Sequence, residues 1–187
     1  TLCLLPRSHC ACDFPRERKG LCLRFATCTH CFPQQNLGGC LFLGVDTRSQ
    51  LELRSSRFID AVVFVQSSVS AAALGAAVML RRDSNQIPKL RQTLLVRDTV
   101  FERCFVRPAV GAGGGGGGAL MLLDRQGNTT STFNTSLLRC LFKSNAAQFG
   151  SGGALLYQLE HAVGANELRL EQVRFESNSA QQGLLTG

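Results

Sequence analysis

The side chains best able to do chemistry in this sequence are the cysteines, and most of them lie close together at the start of the chain. Seven of the nine fall within the first forty residues, at Cys3, Cys10, Cys12, Cys22, Cys28, Cys31 and Cys40. Such a density indicates disulfides in an oxidising compartment or a metal site in a reducing one. We therefore expect a cysteine-rich N-terminal segment or cap over residues 1–35, with these seven thiols as candidate disulfide partners.

A zinc site is the alternative for the same cluster, because tetrahedral zinc is held by close pairs of thiolates and imidazoles. The sets that could supply its ligands are Cys10-x-Cys12 beside His9 and Cys28-x-x-Cys31 beside His30. A CxC pair is less typical of structural zinc than CxxC, and three further cysteines have no place in this scheme. Disulfides are therefore the favoured interpretation, and we expect no resident metal or cofactor.

Two other patterns suggest nucleotide binding or catalysis but lack the residues that either would need. The glycine run 111–118 is followed by the strand-like stretch 119–123 instead of the Lys-Ser/Thr and helix of a phosphate-binding loop. The six Asp and seven Glu form no pair that the spacing would bring together. With no Trp and a single Tyr, the chain also lacks the usual stacking platform for sugars. We therefore expect a glycine-rich turn and no enzyme activity.

The charge balance is basic, but the positive charges are spread out. The net charge of +7 comes mainly from single arginines, and the only dense cluster lies at residues 16–19. A nucleic-acid surface needs a concentrated basic stripe with interleaved aromatic residues. The sequence therefore predicts no nucleic-acid partner.

A recurring pattern indicates which elements position these side chains. Short strand-like segments lead to a phenylalanine, and a Gly/Ala step into an apolar triplet follows. The phenylalanines stand 33, 43, 41 and 33 residues apart, at Phe25, Phe58, Phe101, Phe142 and Phe175. The apolar triplets are Leu41-Phe-Leu43, Val78-Met-Leu80, Leu120-Met-Leu122 and Leu155-Leu-Tyr157. Equal motifs at unequal steps indicate a constant core segment joined by loops of varying length.

The motif segments read as β-strands. They are short, alternate apolar with polar residues and are separated by Gly, Ser, Asn and Asp, which favours strands over helices. One such unit cannot cover its own apolar face, whereas stacked units with strands about 4.8 Å apart bury a continuous core. The sequence therefore predicts an all-β fold, a parallel β-helix of about five irregular coils over residues 36–187. Because the chain starts without Met and ends inside a repeat, we expect a fragment of a longer protein.

Two asparagines are expected to bond one coil of this stack to the next. Asn145 and Asn178 each follow a repeat phenylalanine by three residues. Equivalent positions of stacked coils lie above one another, so each Asn amide is expected to satisfy polar groups of a neighbouring turn. The predicted structural ladder comprises Phe58, Phe101, Phe142, Phe175, Asn145 and Asn178. The predicted tight corners are Gly39, Gly75, Gly118, Gly152 and Gly153.

These motifs resemble a known family. Phe142-Lys-Ser-Asn145 followed by 152–155, and Phe175-Glu-Ser-Asn178 followed by Gly183, are similar to the FxxN and GGA[ILV] repeats of chlamydial polymorphic outer membrane proteins and related surface proteins. The residues that stand where the family pattern has Asn in the other repeats are Cys28, Ala61 and Cys104. The resemblance implies a right-handed, pectin-lyase-like β-helix that is secreted or exposed at the cell surface, on the outer membrane in a bacterium, and that acts in adhesion.

The sequence thus favours a non-catalytic extracellular or cell-surface segment with a structural or adhesive role. Its exposed turns would contact a host or cell-surface protein or a glycan. These turns are predicted at residues 81–93, 107–116, 124–135 and 158–166. Two N-glycosylation patterns, at Asn128 and Asn134, agree with a secreted protein.

Two alternatives stay open. Right-handed β-helices include polysaccharide lyases and hydrolases, so the first is a secreted carbohydrate-active enzyme. The second is a membrane-anchored surface protein that uses Ala61 to Leu80, a stretch of twenty residues without a charge. Polar residues in the centre of this stretch and its fit to the repeat favour a strand instead. Membrane association is then expected only through parts of the protein beyond this sequence, and the oligomeric state is left open.

The cysteine cluster generates a direct prediction. If the N-terminal cysteines form disulfides, alkylation of the unfolded, unreduced chain will leave most of them unlabelled, and prior reduction will make all of them reactive. Mass spectrometry of the alkylated peptides measures the difference. Free N-terminal thiols together with bound zinc would overturn the interpretation and place the protein in a reducing compartment.

Overall fold

The chain forms β-strands and tight turns, with no helix, over the residues that the structure describes. The structure is a computed structural model, and it describes residues 2–3, 21–24, 27–29, 41–44, 50–65, 78–82, 91–108, 115–116, 118–124, 132–148, 150–159 and 166–181. The strands are β1 (Leu2–Cys3), β2 (Leu21–Arg24), β3 (Thr27–Thr29), β4 (Leu41–Gly44), β5 (Gln50–Arg54), β6 (Arg57–Ile59), β7 (Val62–Val65), β8 (Val78–Arg82), β9 (Arg91–Arg97), β10 (Val100–Glu102), β11 (Phe105–Pro108), β12 (Gly115–Gly116), β13 (Leu120–Asp124), β14 (Thr132–Leu138), β15 (Leu141–Lys143), β16 (Ala146–Gln148), β17 (Gly150–Ser151), β18 (Leu155–Leu159), β19 (Glu167–Glu171), β20 (Arg174–Glu176) and β21 (Ser179–Gln181).

Equivalent strands of successive repeats lie side by side in stacked sheets. We number the repeats 1 to 5 by residues 21–44, 50–82, 91–124, 132–159 and 166–181. The first sheet is β2-β5-β9-β14-β19, the second β3-β6-β10-β15-β20, the third β7-β11-β16-β21 and the fourth β4-β8-β13-β18, and β12 pairs with β17. All of these pairings are parallel. The described residues therefore show an all-β fold of parallel strands in stacked sheets, as the sequence predicted at that level.

The paired repeats begin earlier in the chain than residue 36. Strands β2 and β3 lie inside the segment 1–35, yet they pair in parallel with β5 and β6. Strand β1 joins the fourth sheet as an antiparallel neighbour of β4. Repeat 1 is therefore part of the sheets as well as part of the cysteine-rich segment.

A constant spacing sets the register of repeat 1 and corrects one prediction. In repeats 2 to 5 the phenylalanine stands five residues after the last inward residue of the first strand, as with Leu53 and Phe58. Leu23 pairs with Leu53, and the same spacing brings Cys28 beside Phe58. The prediction that Phe25 is the first phenylalanine of the series was therefore wrong. The turn between the first and second strands of a repeat has a fixed length. This length sets the pairing register of the second strand, even where the residue brought beside the phenylalanine is a cysteine.

Strict alternation along the first sheet builds the core. In β5 the side chains of Leu51 and Leu53 are buried, whereas Gln50, Glu52 and Arg54 face outward. Successive side chains of a strand point to opposite faces, so each repeat adds one more layer of apolar side chains to the same interior. The buried cluster comprises Leu51, Leu53, Phe58, Ala61, Val78, Leu94, Val96, Phe101, Cys104, Ala119, Leu120, Leu122, Leu137, Cys140, Phe142 and Ala154.

The fourth sheet departs from alternation at β13. Leu120, Met121 and Leu122 are all fully buried, although neighbouring residues of a strand point to opposite faces. Leu120 and Leu122 belong to the core cluster, and Met121 does not. Both faces of β13 are therefore covered, which is why this segment reads as a continuous apolar run in the sequence.

Two tight turns in each of repeats 2 to 5 use residues with positive φ. The turn from the first to the second strand has Ser55, Asp98, Arg139 and Gln172 in this conformation, and the turn from the second to the third strand has Asp60, Arg103, Ser144 and Ser177. Their φ angles lie between 47° and 54°, a region that costs free energy for residues other than glycine. In repeats 2 to 4 each turn is held by backbone bonds to the next repeat, such as Asp98 N–H donating to Leu138 O at 3.0 Å. These regular bonds offset the local strain.

The predicted glycine corners fall into two groups. Gly118, Gly152 and Gly153 lie where the chain enters the fourth sheet, and Gly39 and Gly75 lie outside the described residues. Gly152 has a φ of 70°, which favours glycine. At Gly153 the reason is close approach, because a Cβ atom there would overlap the carbonyl group of Ser179 in the next repeat.

Repeat 5 is covered on one side only. Strands β19, β20 and β21 are edge strands of their sheets among the described residues. Leu170 and Phe175, whose equivalents in repeats 2 to 4 are buried in the core, are 47% and 48% exposed for this reason.

Two further predictions meet the structure only in part. In the stretch Ala61 to Leu80, residues 62–65 and 78–80 belong to β7 and β8, and residues 66–77 lie outside the described part of the chain. No helix in the described residues is long and apolar enough to cross a membrane. The predicted exposed turns are shorter than expected, because β8, β9, β11, β13, β14 and β18 extend into them.

A buried hydroxyl provides a test of this packing. In the first sheet, Thr135 of β14 lies between Leu94 of β9 and Leu168 of β19. Its Oγ1 atom is buried without a hydrogen-bond partner. Replacing it with valine keeps the shape and removes the unsatisfied group, so Thr135→Val should raise the free energy of unfolding by about 1 kcal/mol in urea denaturation. Thr93→Val, on the outer face of the same sheet, is the control and should change it by less than about 0.5 kcal/mol. Destabilisation by Thr135→Val would contradict the described register.

Candidate functional site

A column of side chains at the second tight turn bonds successive repeats together. Asn145 is fully buried, and its Oδ1 accepts a hydrogen bond from Cys104 N–H at 2.9 Å. Its Nδ2 donates to Phe101 O at 3.1 Å and to Asn178 Oδ1 at 2.9 Å. One side chain thus satisfies two backbone groups of the preceding repeat that no water reaches.

Asn178 repeats the same contacts one layer further on. Its Nδ2 donates to Phe142 O at 2.9 Å, and its Oδ1 accepts from Asn145 N–H at 3.0 Å. The direct amide contact between Asn145 and Asn178 joins repeats 4 and 5. These two predicted ladder residues are therefore adjacent and bonded, each to the backbone of the repeat before it.

Cys104 occupies this column in repeat 3 and makes a weaker version of the same contacts. Its thiol donates to Phe58 O at 3.5 Å and accepts a backbone hydrogen bond from Ala61. Burial raises the pKa of the Cys104 thiol to about 12. Since only the thiolate is nucleophilic, the side chain acts here as a small polar group of the core.

A second column at the first tight turn uses hydroxyl groups and a thiol. Ser56 Oγ donates to Arg54 O at 2.8 Å, and Thr99 Oγ1 donates to Arg97 O at 2.9 Å. Cys140 takes their place in repeat 4, with Sγ 3.4 Å from Leu138 O and 3.5 Å from Val96 O. Burial raises the pKa of this thiol to about 11. Each of the three side chains satisfies a carbonyl group at the same turn.

Cys104 and Cys140 are free thiols that are buried in the core. The seven candidate disulfide cysteines fall outside this description: Cys10, Cys12, Cys31 and Cys40 lie outside the described residues, and only the backbone is described for Cys3, Cys22 and Cys28. The zinc alternative involves the same region and His9 and His30, which also lie outside it. Among the described residues, no three His, Cys, Asp or Glu side chains are grouped closely enough to hold a metal ion.

The four described phenylalanines of the predicted ladder form one continuous stack. Ring centroids are 5.2 Å apart for Phe58 and Phe101, 4.8 Å for Phe101 and Phe142, and 5.1 Å for Phe142 and Phe175. The ring planes lie within 12° of parallel. The spacing equals the separation of neighbouring strands, so the sheet register itself stacks the rings.

Arginine and carboxylate side chains pair on the outer surface. Arg103 donates to both carboxylate oxygens of Asp60, at 2.6 and 2.9 Å, and Arg139 does the same to Asp98. The guanidinium of Arg139 lowers the pKa of the Asp98 carboxyl through these bonds. Further pairs join Arg54 with Glu52, Arg169 with Glu171 and Arg174 with Glu176. Much of the described positive charge is therefore matched locally.

The registers of the described strands separate the carboxylates that lie on them. In the registers of the described strands, no Asp or Glu lies beside another Asp or Glu on a neighbouring rung. Glu102, for example, lies between Ile59 and Lys143. A glycoside-cleaving site needs two carboxyl groups facing one groove. The described strand pairings place no such pair side by side, and Asp60 and Glu102, which lie close together at a turn, both accept hydrogen bonds from Arg103.

Two features of these turns were not predicted from the sequence. The positive charges were expected to be spread out, whereas Arg103 and Arg139 pair with Asp60 and Asp98 at equivalent positive-φ positions of neighbouring repeats. The thiols of Cys104 and Cys140 were not expected to take over polar roles in the core. Aligning the repeats by the constant turn length, instead of by residue type, would have revealed both.

The Asn column generates a stability prediction. Asn145→Ala removes the partners of Cys104 N–H and Phe101 O in a buried position, so it should lower the free energy of unfolding by about 2–4 kcal/mol. Asn178→Ala, in a partly exposed repeat, should cost about 1–3 kcal/mol and less than Asn145→Ala. Urea denaturation measures both, with the exposed Lys143→Ala as a control within about 0.5 kcal/mol of the wild type. An effect near zero for Asn145→Ala would contradict the described contacts.

No protein-family model, curated protein or solved structure matches this chain. The contacts of its own residues therefore carry the functional conclusion. They consist of buried polar columns that bond one repeat to the next, a stack of phenylalanine rings and outer ion pairs. Together these contacts hold neighbouring repeats in register.

Proposed function

We propose that this chain is a segment of a right-handed parallel β-helix that acts outside the cell or at its surface in a structural or adhesive role, without catalysis. The observation that carries the proposal is the Asn145 and Asn178 column, which bonds the backbone of the second tight turn in repeats 3 and 4 to the next repeat. Such a column serves a stack of like units and has no use in an isolated sheet.

The strand arrangement supports the β-helix. Repeats 2 to 4 each place one strand in each of the first, second, third and fourth sheets, in the same order along the chain. Parallel neighbours one repeat apart require a complete circuit of the chain between them. The FxxN and GGA motifs, which resemble those of chlamydial polymorphic outer membrane proteins, fall on the Asn column and on the entry to the fourth sheet.

A non-catalytic role agrees with the state of the reactive groups. The described thiols are buried and protonated, because their pKa values are raised to about 12 and about 11. Several described carboxylates are bonded to arginine. Groups committed to packing and to ion pairs are poorly placed for proton transfer to a substrate.

An adhesive surface would use the connections that vary between repeats. The two tight turns keep the same length in each of repeats 2 to 5, whereas the connection into the fourth sheet runs from Val65 to Val78, from Pro108 to Leu120 and from Gln148 to Leu155. The connections between repeats, such as 125–131, are further variable segments. Variable loops on a rigid stack can contact a protein or glycan without disturbing the core.

An adhesion assay tests this proposal. Beads coated with the full chain should bind epithelial cells or arrayed glycans above albumin-coated beads, and replacing residues 125–131 with a Gly/Ser segment of equal length should reduce binding about threefold or more. Circular dichroism must show the same β spectrum for both proteins. Lys143→Ala, on a tight-turn strand, is the matched control and should bind like the wild type.

Two results would contradict the proposal. One is binding no greater than that of albumin-coated beads for the folded chain. The other is release of unsaturated uronate or reducing sugar from acidic polysaccharides, which would favour the carbohydrate-active enzyme instead.

A further inference from the structure

The repeats of this chain could stack in several wrong orders. Their main contacts are alike, since each of repeats 2 to 5 offers a phenylalanine ring and inward residues of the first strand at the same rungs. An apolar ladder of this kind binds one repeat almost as well as another. Hydrophobic burial therefore cannot by itself exclude a skipped repeat or the pairing of identical repeats from two chains.

The interface between repeats 2 and 3 carries a specific ion pair. Asp60 and Arg103 both occupy the positive-φ position of the second tight turn. The guanidinium donates Nε to Oδ1 at 2.6 Å and Nη2 to Oδ2 at 2.9 Å. Bidentate geometry on two backbones of fixed conformation makes this contact dependent on which repeats are neighbours.

The interface between repeats 3 and 4 carries a second pair at the other turn. Asp98 and Arg139 occupy the positive-φ position of the first tight turn, and they form the same bidentate bonds at 2.6 and 2.9 Å. At the interface between repeats 4 and 5 these positions are uncharged or unmatched, with Arg139 facing Gln172 and Ser144 facing Ser177 in the two turns. That interface has instead the direct contact between Asn145 and Asn178.

The two ion pairs match only in the native order. If repeat 4 stacked on repeat 2, Ser55 would meet Arg139 and Asp60 would meet Ser144, so neither ion pair would form. If repeat 3 stacked on a second repeat 3, Asp98 would meet Asp98 and Arg103 would meet Arg103. Like charges on neighbouring strands repel. The charges therefore destabilise the pairing of two copies of repeat 3 and stabilise the native order.

We propose that the ion pairs Asp60–Arg103 and Asp98–Arg139 fix the order in which repeats 2, 3 and 4 stack. The phenylalanine stack and the apolar core drive the association of repeats, and these pairs select the partner. Repeat 3 has the central part in this selection, because it carries an acid at its first turn and a base at its second. The inference does not depend on the adhesive role proposed above.

Refolding of full-length variants tests the inference. An exchanged variant, D60R/R103D/D98R/R139D, reverses both ion pairs and keeps one Asp and one Arg at the positive-φ positions of each pair. A neutral variant, D60S/R103S/D98S/R139S, removes them. After dilution from urea, size-exclusion chromatography measures native monomer, and hydrogen exchange of residues 91–108 reports whether repeat 3 is in place.

We expect the neutral variant to recover about threefold less native monomer than the wild type, with the remainder oligomeric or unprotected in repeat 3. The exchanged variant should recover part of this loss, because it restores both ion pairs but places the carboxylate of R103D beside Glu102 and that of R139D near Glu171. The control variant R169S removes the arginine of an exposed ion pair within repeat 5, leaves Glu171 beside Arg139, and should refold like the wild type. Comparison at urea concentrations of equal equilibrium stability separates selection of neighbours from simple destabilisation.

A smaller pair of variants keeps the test decisive if four substitutions prevent folding. D98R alone places two arginines on neighbouring repeats and should lower the native yield, and D98R/R139D should restore it. The inference is overturned if the neutral variant refolds as well as the wild type, or if restoring opposite charges in either exchanged variant recovers nothing.

Discussion

The structure depends on one constraint, which is that backbone groups at the tight turns must be bonded by the neighbouring repeat. These turns hold their residues at positive φ, and their inner N–H and C=O groups face a core without water. Backbone bonds to the next repeat satisfy part of this demand, as between Asp60 N–H and Glu102 O at 3.1 Å. The side chains of Asn145, Asn178 and Cys104 satisfy another part. A repeat therefore becomes stable only with a neighbour, which is the cooperativity expected of stacked units.

The same constraint explains why like residues recur in successive repeats of the core and why some of these positions accept a different residue. Parallel register places like residues on neighbouring rungs at the strand separation, so the phenylalanine rings stack at 4.8 to 5.2 Å without any special geometry. Columns accept substitutes that keep the required bonds: Cys104 replaces asparagine, and Cys140 replaces serine or threonine. At Gly153 there is no such tolerance, because the carbonyl group of the next repeat occupies the place of a side chain.

In such a molecule the residues that stabilise the stack and the residues proposed to bind a partner occupy different positions. Inner columns and tight turns are committed to the stack, and the outer ion pairs between Asp60 and Arg103 and between Asp98 and Arg139 distinguish one interface from the next. The connections into the fourth sheet and between repeats differ in length, and the proposed adhesive contacts fall there. A rigid stack thus leaves its variable segments free to change, since a longer loop adds little to the cost of closing it.

The sequence by itself determined the all-β class, the repeats and the residues of the ladder, because strand period, turn residues and the Phe-x-x-Asn spacing are local properties of the chain. It did not determine the register of repeat 1, where Cys28 and not Phe25 lies beside Phe58. It also did not reveal the hydrogen-bonding roles of Cys104 and Cys140 or the ion pairs between repeats. Those contacts join residues about forty positions apart, so only the tertiary structure, by fixing which rungs are neighbours, could decide them.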